Sequence, residues 1–509
     1  MTLVSVEYIA FLLIGLLIYY LLAKKYQWVI LLLLSLYFYL RVGEPWTIIY
    51  VMISSFVTWC ASNQIAKENN NAKRWVFIAI FINLTILFVL KYSNFFLGNF
   101  SRILNFFSHN DYDFTTNFIS SLGISFYTLQ MVGYLLDCYW GICEPMTNIA
   151  KVTLFNCFFP QMISGPINRF SSIKDDLFSE HDYKFENIEK GIIRVSFGIF
   201  KKIVIAGNFA IIANTFLNLE GDYCGIFSFC GIIAYIIELY ADFSGCMDIV
   251  IGSAKCFDIR IVENFNAPFS SRTIQEFWQR WHITLGQWMK DYIMYPLLRT
   301  KAWRKLTSFL KTKFNKKVAQ KVPTYLAMLI LWFCMGLWHG GEWHFIIQGL
   351  WYWVIIVVGD CVLDKKKRDN DSLVKIRIQQ FRTLLIFVVG TIFFKSWSVS
   401  NAIDTILLIF HPANIIKSIN SIGIVWHNWR WTAGHYIELL GSILNAVIGF
   451  VIFVIMCFCA KNKESSYAWF KTKPIFFRTL IIVLILYFTI VLGVYGPGYS
   501  ASEFIYGGF

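Results

Sequence analysis

Charge is what this sequence has least of. Only 15% of its 509 residues are Asp, Glu, Lys or Arg, whereas 57% are hydrophobic and the mean hydropathy is +0.56. A soluble globular chain carries about 25% charge, so the composition excludes a soluble enzyme and implies an all-α polytopic membrane protein. Apolar runs lie at 8–23, 27–42, 46–62, 75–92, 117–136, 203–219, 226–245, 323–338, 343–363, 383–397, 439–459 and 476–495. Read against the ~20 residues of a full span, they give about 11–12 transmembrane helices, the shorter ones tilted, broken or re-entrant.

Other absences narrow the field further. Acidic residues number 31 against 45 basic ones, and the intramembrane carboxylates and internal repeats usual in transporters and proton pathways are sparse. None of the twelve cysteines shows a zinc spacing. Cys157, Cys230, Cys334, Cys457 and Cys459 sit inside apolar runs, and Cys138 with Cys143 is a weak disulfide candidate. The first run lacks a basic leader region and is followed by Lys24-Lys25 in place of a cleavage site, so it reads as a span. The net charge of +14 is clustered in loops and not interleaved as a groove, which argues for membrane topology and against a nucleic-acid partner.

The basic clusters are Lys24-Lys25, Lys67 with Lys73-Arg74, Lys201-Lys202, Lys301 to Lys321, Lys365 to Arg368, and Lys461 to Arg478. Placed in the cytoplasm by the positive-inside rule, they leave both termini extracytoplasmic. A single membrane-embedded domain over 1–509 is expected. It comprises lipid-facing helices over 1–136, in which no chemistry is read, a core over 137–397, and an outer loop, two helices and an extracytoplasmic tail over 398–509. Residues 93–116 are expected as an outside loop.

What is there is concentrated at Gly336-Leu337-Trp338-His339-Gly340-Gly341-Glu342-Trp343-His344, a polar break inside an apolar run from Tyr325 to Val358. Ionisable groups in such a place are costly and mark function by default. From Pro323, sixteen residues of helix place His339 ~24 Å from the cytoplasmic edge, deep in a ~30 Å hydrocarbon layer, which requires an internal tunnel. His339, Glu342 and His344 match neither standard zinc spacing. A proton relay and acyl transfer, with imidazole as general base on an acceptor hydroxyl, both stay open on physical grounds.

Four further stretches stand out. Phe158 to Phe170 is a Pro/Gly-broken run read as re-entrant or bent. Asp242 and Asp248 are six apart, off one helical face, and are assigned to structural hydrogen bonding. Residues 277–297 are expected as an amphipathic interfacial helix with Trp278, Trp281, Leu285 and Trp288 near one face. His411, His427 and His435 lie in the expected outer loop and fit no metal motif.

Five motifs together resemble the membrane-bound O-acyltransferases, specifically the bacterial branch that modifies cell-surface polymers. They are Phe159-Pro160-Gln161 with Ser164-Gly165-Pro166-Ile167; Asp242-Phe243-Ser244-Gly245; Asn264-Phe265-Asn266-Ala267-Pro268-Phe269; Phe277-Trp278-Gln279-Arg280-Trp281-His282-Ile283-Thr284-Leu285; and Gly336-Leu337-Trp338-His339-Gly340. The resemblance implies helices around a central tunnel in a bacterial plasma membrane, with His339 as the essential catalytic residue and His282 as the second. Trp338, Gly340, Trp281, Arg280, Asn264 and Asp291 are expected along the tunnel, with no metal and no tightly bound cofactor.

The Tyr292-to-Leu297 pattern and the tail Phe504-x-Tyr506-x-x-Phe509 are similar to the acetyltransferase subgroups. They imply acetyl-CoA as donor, Tyr506 as an acyl relay, and an extracytoplasmic SGNH-type partner that acetylates a cell-wall or extracellular polysaccharide, peptidoglycan above all. Teichoic-acid D-alanylation from an acyl carrier protein is the alternative within the family, and a transporter or proton channel the alternative outside it. Trp351-Tyr352-Trp353 stands where many relatives carry a second His-Gly, and Glu342 and His344 are not family-typical.

Overall fold

The apolar runs noted above are largely helical, though the run at 117–136 becomes helical only from Ile124; the computed structural model describes all residues except 109, 218–223, 363–370, 418, 420–439, 453–469 and 496–509. No strand forms among the described residues beyond an isolated bridge between Phe265 and Trp281. Among the described residues, eight helices are long and apolar enough to cross a membrane: Pro45–Ala66, Ala72–Ser108, Phe185–Leu217, Gly225–Cys256, Lys316–His339, Trp343–Val362, Leu373–Lys395 and Ile475–Leu492. Shorter apolar helices occupy Val6–Leu21, Val399–Phe410 and Leu440–Ile452. The chain is an all-α, multi-pass membrane protein.

The helices group into two compact units. One is built from Met1–Lys24, His181–Ile261 and the described part of Ser400–Gly508. Its centre is the helix Phe185–Leu217 against Cys224–Cys256. The two backbones nearly touch: a Cβ on Gly198 would lie 2.5 Å from the Gly245 carbonyl oxygen, and one on Gly245 2.8 Å from that of Gly198. Without hydrophobic driving force between helices in lipid, such small-residue contacts and polar pairs hold the interface. Here Lys202 pairs with Asp242, Lys201 reaches Asp248 at 2.5 Å and Arg194 Nε donates to Asp248 at 3.0 Å.

These pairs correct one expectation and support another. Lys201-Lys202 is not a loop end but a π-helical turn, Lys201–Ala206, inside one long helix, so it carries no topology signal. Its charge answers Asp242 and Asp248, whose structural assignment stands. The widened turn also frees the Ile203 carbonyl, which accepts from Val494 N at 3.1 Å just beyond the last described helix.

The second unit comprises Lys25–Glu180 and Val262–Val399. Its N-terminal helices are less inert than composition suggested. Ile48–Ala66 buries Ser54, Ser55, Thr58, Ala61 and Ser62, and Ser54 Oγ donates to Asn83 Oδ1 at 2.5 Å while Asn156 Nδ2 donates to Ser55 Oγ at 2.9 Å. Residues 93–108, expected as loop, continue the helix begun at Ala72. Their Asn residues point to the following segment: Asn94 Nδ2 donates to Thr116 O at 3.0 Å, and Asn105 Oδ1 accepts from Tyr112 N at 2.7 Å. The Cys138 and Cys143 sulfurs sit 3.3 Å apart as free thiols.

The long hairpin of this unit carries the site. Asn315 caps Lys316–His339 by accepting from Val318 N at 2.9 Å, and the return helix Trp343–Val362 packs along it. Gly336 and Gly349 set the separation, since a Cβ would lie 2.4 Å from the Phe345 carbonyl oxygen at the first and 2.3 Å from that of Trp332 at the second. At the basic end, Asp360 Oδ2 accepts from Lys321 Nζ at 2.6 Å and Tyr325 Oη at 2.7 Å.

The side chains of Lys202 and Asp242 are only 6% and 3% exposed, so stranding either charge is costly, by ~3–5 kcal/mol for a buried pair. Lys202→Met or Asp242→Leu alone is expected to lower the unfolding midpoint in detergent markedly. The double variant is expected to recover most of that loss. Single variants as stable as the parent would show that the pair does not hold the two helices.

Candidate active site

The site begins with a bracket. Asn264 Oδ1 accepts from both Thr284 N and Thr284 Oγ1 at 3.0 Å, while its own carbonyl accepts from Ile283 N at 3.0 Å. Asn266 N donates to Arg280 O at 2.9 Å, and Phe265 pairs with Trp281. The Phe159-to-Ile167 motif locks onto the same place, with Ile167 N donating to Thr284 Oγ1 at 3.1 Å and Gln161 Oε1 accepting from Asn168 at 2.8 Å.

This bracket breaks the helix expected over 277–297. Ile274–Arg280 ends, Trp281 is extended, and a new helix starts at Ile283. Between them His282 adopts φ 48°, ψ 50°, a left-handed conformation that costs a non-glycine residue on the order of 1–3 kcal/mol and gathers at functional sites. The turn drives the His282 ring inward, where it is 3% exposed. It lies outside the spanning helices, and burial, reinforced by His339 nearby, holds its imidazole well below the ordinary value, so it stays neutral at pH 7.

His339 ends its helix, because Gly340 is extended and no cap follows in the helix's own geometry. A Cβ on Gly340 would lie 2.4 Å from the Phe345 ring, so the break needs glycine. Trp338 contacts both histidines, its ring 5.5 Å from His282 and 5.2 Å from His339. His344 is committed elsewhere: Nδ1 donates to the Phe393 carbonyl at 2.9 Å and Nε2 meets Glu342 at 2.8 Å. The structure thus distinguishes two histidines that stand alike in sequence.

His282 and His339 line one cavity of about 310 Å³, together with Trp278, Trp281, Trp332 and Met335. Thr324, Met328, Leu331, Trp332, Met335 and His339 form its long wall, one face of the helix over sixteen residues, or ~22 Å from first to last. Lys290, Gln275 and Gln279 add polar groups. Such a narrow, mostly apolar slot with two imidazoles suits a slender flexible chain whose reactive end meets a base in a dry setting.

Of the other residues expected there, Trp281 lines the cavity while packing on Phe265 and Phe277. Trp338 and Gly340 shape the end of the histidine helix. Asn264 holds the turn and is fully buried. Arg280 donates to Ser270 Oγ at 2.6 Å and pairs with Glu276 at 2.8 Å, and Asp291 pairs with Arg169; neither is among the cavity's lining residues. Tyr506, His427 and His435 lie outside the described residues.

Sequence reading missed Lys91, whose Nζ donates to the Trp338 carbonyl at 2.7 Å. A lone lysine near the end of an apolar run ordinarily reads as one that reaches to the membrane surface, so nothing in the pattern marked it.

Removing Asn264 leaves Thr284 N and Oγ1 buried without that acceptor, at about 1–3 kcal/mol per group. Asn264→Ala is expected to lower the thermal midpoint in detergent and to broaden the His282 ring resonance. An unchanged midpoint and resonance would remove the bracket from the account.

Comparison with known proteins places this geometry. Residues 144–365 match the family model described as membrane-bound O-acyltransferase. A protein of Azotobacter vinelandii named "Probable alginate O-acetylase AlgI" is 31% identical over 343 residues, 67% of this chain and 65% of that protein, so the match spans just under two thirds of its length. The peptidoglycan O-acetyltransferase of Helicobacter pylori is 27% identical over 488 residues, 87% of this chain and 86% of its own. The teichoic acid D-alanyltransferase of Streptococcus thermophilus is 28% identical over 266 residues, 50% and 60% of the two chains.

Proposed function

The chain belongs to the membrane-bound O-acyltransferase family, and on that premise we propose that it moves an acetyl group from cytoplasmic acetyl-CoA to the outer face of a bacterial plasma membrane. The observation that carries this reading is the shared cavity of His282 and His339. The slot fits a pantetheine-like arm with its thioester beside the histidines. Lys290 lines the cavity, and Lys301, Arg304, Lys305, Lys311 and Lys313 are exposed on the helix before the hairpin. Their charge suits the donor's phosphates and, by the positive-inside rule, the cytoplasm; both termini then lie outside.

In the reaction His339 removes the proton from an acceptor hydroxyl as its oxygen attacks the thioester carbonyl. The C–S bond breaks, and the imidazolium returns the proton to the departing thiolate. His282, neutral and close by, orients the thioester. Tyr506 in the aromatic tail is the acceptor we favour; at an ordinary pKa of ~10 a phenol is a poor nucleophile unaided. Acetyl-Tyr506 passes the group to an extracytoplasmic SGNH-type transferase. Peptidoglycan is the favoured final substrate, supported by the breadth of the match to the Helicobacter protein.

The purified protein incubated with radiolabelled acetyl-CoA is expected to release CoA and to retain label in its C-terminal peptide. His339→Ala is expected to slow CoA release by ~10²–10⁴-fold, the usual worth of a general base, and Tyr506→Phe to abolish the retained label. Labelling only from a D-alanyl carrier protein would replace acetylation with D-alanylation. Full activity in His339→Ala would overturn the mechanism.

A further inference from the structure

The helix Ala72–Ser108 is interrupted once, by a π-helical turn at Phe88–Tyr92. One extra residue in a turn rotates every later side chain by about 100° and is a feature concentrated at functional sites. Lys91 sits in that turn. Its Nζ donates to the Trp338 carbonyl at 2.7 Å and to Ser125 Oγ at 2.9 Å, and lies 5.6 Å from the Trp338 ring centroid. Among the described residues no carboxylate pairs with it. A lysine amine among apolar spans is expensive, so helix packing alone is a poor reason for its presence.

The Trp338 carbonyl explains the expense. It belongs to the last turn of the helix that ends at His339, where carbonyls have lost their partners within the helix and a cation is favourable. Lys91 therefore grips the peptide that joins Trp338 to His339. The same rod supports the next residues: a Cβ on Gly341 would lie 3.0 Å from Phe95 Cβ, and Trp343 Nε1 donates to Asn99 Oδ1 at 2.9 Å.

We propose that Lys91 is a positioning residue of the site, holding the Trp338 carbonyl so that the Trp338 ring keeps its contacts with both histidines and His339 faces the cavity. Its kinetic consequence rests on the acyl-transfer reading above, but the clamp itself does not. Lys91 acts through the backbone of its neighbour and touches no reacting atom, so its loss reduces turnover and leaves donor affinity intact.

The test uses the full-length protein in detergent or nanodiscs, with ¹⁵N-labelled histidine and His339 assigned by His339→Gln. In Lys91→Met the His339 ring resonances are expected to shift or broaden while those of His344 stay put. CoA release from acetyl-CoA is expected to fall at least tenfold in kcat with KM changed less than twofold, and Lys91→Arg to recover at least half of the parental turnover. If Lys91→Met does not fold, Lys91→Gln carries the same readouts. Unmoved His339 resonances, or loss of activity only in proportion to loss of folded protein, would overturn the clamp. If the parent protein releases no CoA, the acyl-transfer reading fails, and the His339 resonances still decide the proposal.

Discussion

A buried backbone that stops being helical must satisfy every N–H and C=O it exposes, because apolar surroundings offer no partner. Both histidines of the site sit at such stops. His282 occupies a left-handed turn between two short helices, and His339 ends a long one. The surrounding structure is arranged around meeting that requirement. Asn264 and Thr284 take up the groups released at the first stop, and Lys91 takes the carbonyl released at the second. The elements that make these contacts come from four separate stretches of chain, which is why motifs far apart in sequence belong to one site.

This arrangement also gives the two imidazoles their chemistry. A turn that buries His282 keeps it neutral, and a helix end places His339 on the wall of the cavity that His282 also lines. His344, three residues past the glycine break, is buried as deeply but spends both ring nitrogens on Phe393 and Glu342. Burial alone therefore does not distinguish the histidines. What separates them is the cavity.

Much of this was legible in the sequence. The apolar runs located most of the helices, and the family resemblance pointed to His282 and His339, which the structure brings to one cavity. Legibility failed where a long-range partner decides the outcome. Lys201-Lys202 reads as a loop end until Asp242 and Asp248 are seen opposite it. Asn94, Asn99 and Asn105 read as loop formers until they are seen tying a segment or a tryptophan to one helix. Arg280, Asn264 and Asp291, expected along the tunnel, make contacts that no local pattern announces: with Ser270, Thr284 and Arg169 respectively. Lys91 left no local trace, since only the π-helical turn aims it at Trp338.

The central claim is that an acyl donor lies along one face of the histidine helix and ends between His282 and His339. A cryo-EM structure of the protein with a non-hydrolysable thioether analogue of acetyl-CoA tests it most directly. The account places the analogue's arm against Thr324, Met328, Leu331 and Met335, with its acyl end beside His339 and its phosphates toward Lys290. An analogue bound elsewhere with that cavity empty would contradict it.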